Sequence, residues 1–388
     1  MIIRERVVAG IRSNMRQFQV TALLGPRQCG KTTLARGMHV RPENYFDMED
    51  PRDVTRLDNP RTVLAKLKGP VVIDEIQRMP DLFPLLRVLA DRPGRPASFL
   101  ILGSATPDLV KAASESLAGR IGFIDLTGFD LEEVGADNRD RLWLRGGFPG
   151  SFLAASDDAS FRWRANFFRT FLTQDLPAFG IRVPTERLRR FWMMLSHYHG
   201  QIWNASEIGA SLNLDYKSCQ YYLDILRNTF ILRTLQPWFE NAGKRERRAP
   251  KVYMRDSGLF HTLMNLHSMR DIESHPKLGA SWEGFAIEQI ISAFRLAADE
   301  CFYWAVHSGP EIDLLMMRDG KRTGFEIKFA DAPRLTASMM TAMEHLRLNR
   351  LYVVYPGELR YDLATGIEAI PVTDVPTLNA KKKRRTAR

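Results

Sequence analysis

The sequence predicts an α/β fold, and three observations carry the prediction. Short apolar runs recur in the first third, at 19–24, 45–48, 70–74 and 98–103. Segments with helical character separate them, the alternation expected of a parallel sheet with helices on both faces. A glycine-rich loop follows the first run and opens the first helix, at the strand-to-helix junction of a P-loop domain. From about residue 151 the pattern changes to helices rich in aromatics and arginine, such as 161–168, then to two helices and a hairpin at roughly 186–255. After about 278 a long helix leads into strands again. The expected organisation is a P-loop domain at 1–135, a helical linker or lid at 136–185, a helix-turn-helix unit at 186–277, an α/β domain at 278–376 and a basic tail at 377–388.

The chain has 388 residues, of which 45% are apolar and 26% charged, ordinary values for globular domains and against disorder, collagen or coiled coil. Its formal net charge of +10 is segmental: +3 over 1–150, +6 over 151–280, −5 over 281–380 and +6 in the last eight residues. Nucleic acid is therefore an expected partner, approached through the middle region and the tail. Cys29, Cys219 and Cys301 are too few and too scattered for a zinc site or a disulfide framework. The first residues lack the apolar core of a signal peptide, and no run approaches the ~18–20 apolar residues that span a bilayer. The reading is cytoplasmic, with no membrane partner.

Gly25-Pro26-Arg27-Gln28-Cys29-Gly30-Lys31-Thr32-Thr33 has P-loop spacing. Its glycines let backbone N–H groups turn toward phosphate oxygens, and the following helix adds its positive end. Lys31 would reach the β- and γ-phosphates of ATP, and the Thr32 hydroxyl would hold Mg²⁺. Cys29 reads as a small filler within the loop. The run 71–73 ends in Asp74 and Glu75. There Asp74 would serve Mg²⁺ and Glu75 would activate the attacking water. Ser104, at the end of the next strand, is placed to sense the γ-phosphate or the lytic water, or equally to cap a helix. Arg120 is a candidate for stabilising phosphoryl charge, in its own site or across a subunit boundary, or a plain ion-pair residue.

The order of Gly-Pro-Arg-Gln-Cys-Gly-Lys-Thr-Thr (25–33), Ile-Asp-Glu-Ile-Gln (73–77), Leu-Gly-Ser-Ala-Thr (102–106) and Ser-Leu-Ala-Gly-Arg (116–120) resembles the prokaryotic AAA-type ATPases of the archaeal ATPase clade. The resemblance runs on through Gly-Gly-Phe-Pro (146–149) and the segment 250–259. It implies a winged-helix region and a C-terminal domain of unknown function related to restriction endonucleases. It also implies ATP and Mg²⁺ as cofactors and assembly as a homo-oligomer, ring or dimer.

Within the middle region, 205–212 and 216–226 read as a helix-turn-helix with Ile208, Leu212, Leu223 and Leu226 facing inward. Tyr216, Lys217 and Gln220 begin its second helix, where DNA-reading side chains usually sit. Lys244, Arg245, Arg247, Arg248 and Lys251 in the wing are candidate phosphate contacts. The alternative is packing against another domain or protomer.

Residues 311–329 read as a β-hairpin turning at Asp319-Gly320. That register sets Asp313 opposite Glu326, with Lys328 on the same face as Glu326. Two facing carboxylates and a lysine suit a Mg²⁺ site for phosphodiester chemistry. Glu283, on the preceding helix, completes a pattern similar to the nuclease core of restriction-endonuclease-like proteins. The plain alternative is a surface hairpin with its charges in solvent.

Overall fold

The computed structural model describes residues 2–104, 107–239, 249–306 and 309–379, with 107–111 described in backbone only. The chain divides into two compact units, Met1–Gly128 with Asn228–Phe230 and Phe129–Arg227 with Ile231–Arg388.

In the first unit, β1 (Val20–Gly25), β2 (Tyr45–Asp47), β3 (Gly69–Asp74), β4 (Ala97–Ser104) and β5 (Ile121–Asp125) form a five-stranded sheet in the order β2-β3-β4-β1-β5. All pairings are parallel. Every residue of β1 is buried, as its unbroken apolar run predicts for a strand covered on both faces. Val20, Ala22, Leu24, Val71, Ile73, Phe99 and Ile101 belong to one core. β5 shows only partial burial, which is why its sequence does not stand out. Parallel strands bring their C-terminal ends to one edge, so Gly25, Asp74 and Ser104 share it, with Gly25 directly opposite Ser104.

The second unit holds a nine-stranded mixed sheet. Its strands are β6 (Gln201–Ile202), β7 (Leu232–Pro237), β8 (Lys251–Met254), β9 (Cys301–Ala305), β10 (Glu311–Arg318), β11 (Lys321–Ile327), β12 (Arg350–Tyr355), β13 (Tyr361–Ala364) and β14 (Ile367–Pro371), in the order β13-β14-β12-β11-β10-β9-β7-β8-β6. β7 pairs in parallel with β9, Gln236 opposite Phe302 and Pro237 opposite Tyr303. One sheet therefore runs through the boundary expected near residue 277.

The helix Ala205–Leu212, a turn holding Asn213 at φ 52°, and the helix Tyr216–Asn228 follow the expected helix-turn-helix outline. Ile208, Leu223 and Leu226 are buried and Leu212 half-buried. The three strands β6, β8 and β7 close that part of the unit. Two sequence segments far apart interlock beside it. Gly147 N–H donates to Asp256 Oδ2 at 2.7 Å, and a Cβ on Gly258 would stand 2.1 Å from the Arg145 carbonyl oxygen. Only glycine permits that approach.

The β10–β11 hairpin has the predicted register. Leu314 pairs with Phe325 and Arg318 with Lys321, and Asp319 and Gly320 adopt φ 53° and 69° in a two-residue turn. The β9–β10 pairing slips between Ile312 and Leu315, at the position of Asp313.

Candidate functional site

The loop after β1 is shaped by close backbone approach. A Cβ on Gly25 would lie 2.1 Å from the Leu126 carbonyl oxygen, while Gly30 takes φ 96° and Gln28 φ 63°. Cys29 is fully buried, in keeping with a filling role, and Pro26 is buried beside it; Arg27 is half-buried and Gln28 exposed. Lys31 opens the helix Lys31–Arg36 and donates to the carbonyl oxygens of Gly25 at 3.0 Å and Pro26 at 2.9 Å. A lysine carries three protons, so these two bonds leave one for a phosphate. Thr32 is half-buried and Thr33 exposed on the same helix.

Asp74 ends β3 almost fully buried. Its Oδ1 accepts from the Glu75 N–H at 3.0 Å and its Oδ2 from the Tyr45 hydroxyl at 2.9 Å. Burial and the Asp74 charge push the Tyr45 phenol well above its usual range, so it remains a proton donor. Glu75 is in the left-handed region at φ 53°, and Gln77 donates to its Oε2. Burial and Asp74 raise the Glu75 carboxyl while Lys31 pulls it down, for a net increase in basicity. Sequence reasoning missed Tyr45 and Gln77. Each sits next to a recognised acid only after β2 pairs with β3, or after the chain turns behind Glu75.

Ser104 is buried beside the loop, and its Oγ has no hydrogen-bond partner. It therefore caps no helix, which removes the alternative raised by its sequence position. Arg120 does not join this edge of the sheet. Its carbonyl oxygen accepts from the N–H of Val20, at the start of β1, and its guanidinium pairs with Asp91 at 2.6 and 2.9 Å. Its place beside Val20 puts it at the opposite end of β1 from Gly25.

On the helix Tyr216–Asn228, Tyr216 and Lys217 are exposed and Gln220 is half-buried. Lys244, Arg245, Arg247 and Arg248 lie outside the described residues. Lys251 corrects the sequence reading: it is buried, with its ammonium 3.4 Å from Glu283 Oε1 and 3.6 Å from Asp313 Oδ1. Strand β8 turns this cation inward, away from any phosphate backbone.

Glu283, Asp313, Glu326 and Lys328 do come together. Asp313 and Glu326 are buried, which overturns the solvent-facing hairpin. Asp313 Oδ2 accepts from the Ile327 N–H at 2.8 Å, and Lys328 pairs with Glu326 Oε1 at 2.6 Å. Tyr253 donates to Glu283 Oε1 at 2.5 Å. Burial and the Asp313 charge push both Glu283 and Glu326 above the usual carboxyl range. Burial alone would lower the lysines, but Glu283 and Asp313 raise Lys251, and Glu326 raises Lys328.

A hard divalent ion needs several oxygens converging on one point. Around the phosphate loop the donor types fit one: Thr32 is on the helix that follows the loop and Asp74 ends β3 at the same edge of the sheet. In the second unit they do not. The Lys251 ammonium stands between Glu283 and Asp313, and among the described residues no three His, Cys, Asp or Glu side chains are arranged to hold a metal ion.

Three family models match the chain in succession. Residues 17–135 match an AAA domain, 136–270 a domain of unknown function (DUF8612) and 278–375 another domain of unknown function (DUF4143). The chain is 47% identical over 378 residues to the uncharacterized protein Rv2008c of Mycobacterium tuberculosis, covering 97% of this chain and 85% of the relative. The uncharacterized protein Mb2031c of Mycobacterium bovis matches to the same extent. Among solved structures, the Walker-type ATPase PABY2304 of Pyrococcus abyssi is similar at 16% identity, with a TM-score of 0.48 over 68% of this chain and 96% of that one. No helix among the described residues is long and apolar enough to cross a membrane. The chain belongs to the same family as the two mycobacterial proteins, and its residues 17–135 match an AAA domain that carries the P-loop.

Proposed function

We propose that the chain hydrolyses ATP in the presence of Mg²⁺ and uses the cycle to rearrange an assembly that contacts nucleic acid. The observation that carries this is the shared edge of β1, β3 and β4, where Lys31, Asp74, Glu75 and Ser104 end together. Lys31 would hold β- and γ-phosphate oxygens, and Thr32 and Asp74 would hold magnesium, which neutralises phosphate charge when bound. Glu75, made more basic by burial and fixed by Gln77, would take the proton of the attacking water. The Ser104 hydroxyl would face the γ-phosphate. Arg120 would act only in a neighbouring protomer's site, after leaving Asp91. Lys31→Ala or Glu75→Gln should abolish phosphate release; a purified variant with wild-type turnover would refute the assignment.

The helix-turn-helix followed by strands β7 and β8 supports a winged-helix reading, with Tyr216 and Lys217 exposed for nucleic-acid contact. The cations at 244–248 and the tail would add phosphate contacts and a steep salt dependence.

For the C-terminal domain two readings compete. The facing Asp313 and Glu326 with Lys328 favour descent from a nuclease. The ammonium of Lys251 between Glu283 and Asp313 favours a fold that no longer cleaves and instead holds a partner. Incubation of the full chain with DNA and RNA panels and divalent metal separates them. Cleavage lost in Asp313→Ala and Lys328→Ala would restore the nuclease reading.

A further inference from the structure

We infer that Lys251 is the resident cation of the C-terminal acidic cluster, a tethered counter-ion that holds the place between Glu283 and Asp313 and keeps divalent metal out. The inference rests on reading that domain as one that holds rather than cuts, and it assigns the residue responsible.

Four observations converge. Lys251 bridges acids from two elements, Glu283 on the helix Leu278–Phe294 and Asp313 on β10, at 3.4 and 3.6 Å. Its side chain is only 7% exposed, so its charge is matched by those acids rather than by water. Tyr253, two residues along the same strand and therefore on the same face, also points into the cluster and binds Glu283 Oε1. Two further oxygens of the cluster are engaged: Asp313 Oδ2 by the Ile327 N–H and Glu326 Oε1 by Lys328. Glu326 Oε2 is the buried carboxylate oxygen left without a partner, and one oxygen does not make a metal site.

The cluster is also composite along the chain. Its acids lie in the segment 278–375, whereas Lys251 and Tyr253 come from 136–270. Four carboxylates, Glu283, Glu311, Asp313 and Glu326, meet two ammoniums, and one of the two ammoniums is supplied by the earlier segment. A divalent ion and Lys251 would compete for the same two carboxylates, so removal of the ammonium should convert the cluster into a cation site.

The test uses the nucleotide-free full chain titrated with Mn²⁺, read by calorimetry and by the shift in melting temperature. Wild type and Lys251→Arg should show no Mn²⁺ response that depends on Asp313. Lys251→Met should bind Mn²⁺ at least about tenfold more tightly than wild type and melt higher in its presence, and adding Asp313→Asn should erase both effects. Equal Mn²⁺ affinity in wild type and Lys251→Met would overturn the inference. If Lys251→Met does not fold, wild type against Asp313→Asn decides alone: identical titrations uphold the inference, and Mn²⁺ binding lost with Asp313 overturns it. Metal-dependent cleavage by wild type that requires Asp313 would sink the holding reading, an outcome scored on substrate and separate from the titrations.

Discussion

The phosphate loop and the C-terminal acidic cluster are built from the same parts, buried carboxylates beside a lysine, and are finished in opposite ways. At the phosphate loop Lys31 binds backbone carbonyls and keeps a proton free, and Ser104 Oγ is buried without a partner. In the acidic cluster Lys251 spends its charge on Glu283 and Asp313, and Lys328 on Glu326. Buried polar groups left unsatisfied cost stability, so their survival in a fold is informative about ligands. The first site is open in that its lysine keeps a proton to spare; the second is closed in that both its lysines are paired with acids, although Glu326 Oε2 stays without a partner.

The largest expected effects fall at the open site. Lys31→Ala should lose nucleotide affinity and turnover by about 10³-fold or more, measured by fluorescent-nucleotide binding and phosphate release. Retained affinity would show that the loop does not work through this lysine.

At the closed site the expected effect is on stability. Lys251→Met strands two buried carboxylates and should cost about 3–5 kcal/mol in denaturant unfolding without added metal. Lys328, 43% exposed, should cost less on the same substitution because it leaves one buried carboxylate, Glu326, without its cation rather than two. Equal losses would remove the distinction between a buried counter-ion and a rim lysine.

Next comes the pH response of the second unit. His199 and His261 are fully buried, and burial pushes both imidazoles down to about 3. Between about pH 6.5 and 3 the unfolded imidazoles bind protons that the native rings refuse, so each ring's contribution to stability falls as pH falls, while the raised Glu283 and Glu326 carboxyls act in the opposite sense. The slope is about 1.4 kcal/mol per pH unit for each histidine once the unfolded form is protonated. The difference in stability between wild type and His199→Gln isolates one ring, and a difference independent of pH over 4–6.5 would contradict a neutral, buried ring.

The smallest effect is expected from Ser104→Ala. Its hydroxyl has no partner, so unfolding free energy should change little, while turnover should fall about tenfold if the group meets phosphate or water. A loss of stability with unchanged turnover would assign Ser104 a structural role.

Much of this was legible in the sequence because the decisive signals are local. The glycine spacing of 25–33 fixes the loop, an apolar run ending in Asp74-Glu75 fixes its acids, and Asp319-Gly320 fixes the hairpin register that sets Asp313 against Glu326. What escaped depends on long-range pairing. Lys251 looks like one more wing cation until β8 takes its place in the sheet, and only then does its side of the strand become known. Tyr45 reaches Asp74 through the β2–β3 pairing, which no spacing along the chain reveals. The place of Arg120 escaped for the same reason, since its motif carries no information about which end of a strand it occupies. The continuity of one sheet through residue 277 rests on two residue pairs, Gln236–Phe302 and Pro237–Tyr303, too short a signal to read in advance.

The most direct test of the open site is single-turnover phosphate release by wild type and Glu75→Gln, each with nucleotide binding measured in parallel. The account predicts that Glu75→Gln binds ATP with near wild-type affinity while phosphate release falls by about 10²-fold or more. Wild-type phosphate release from Glu75→Gln would contradict it.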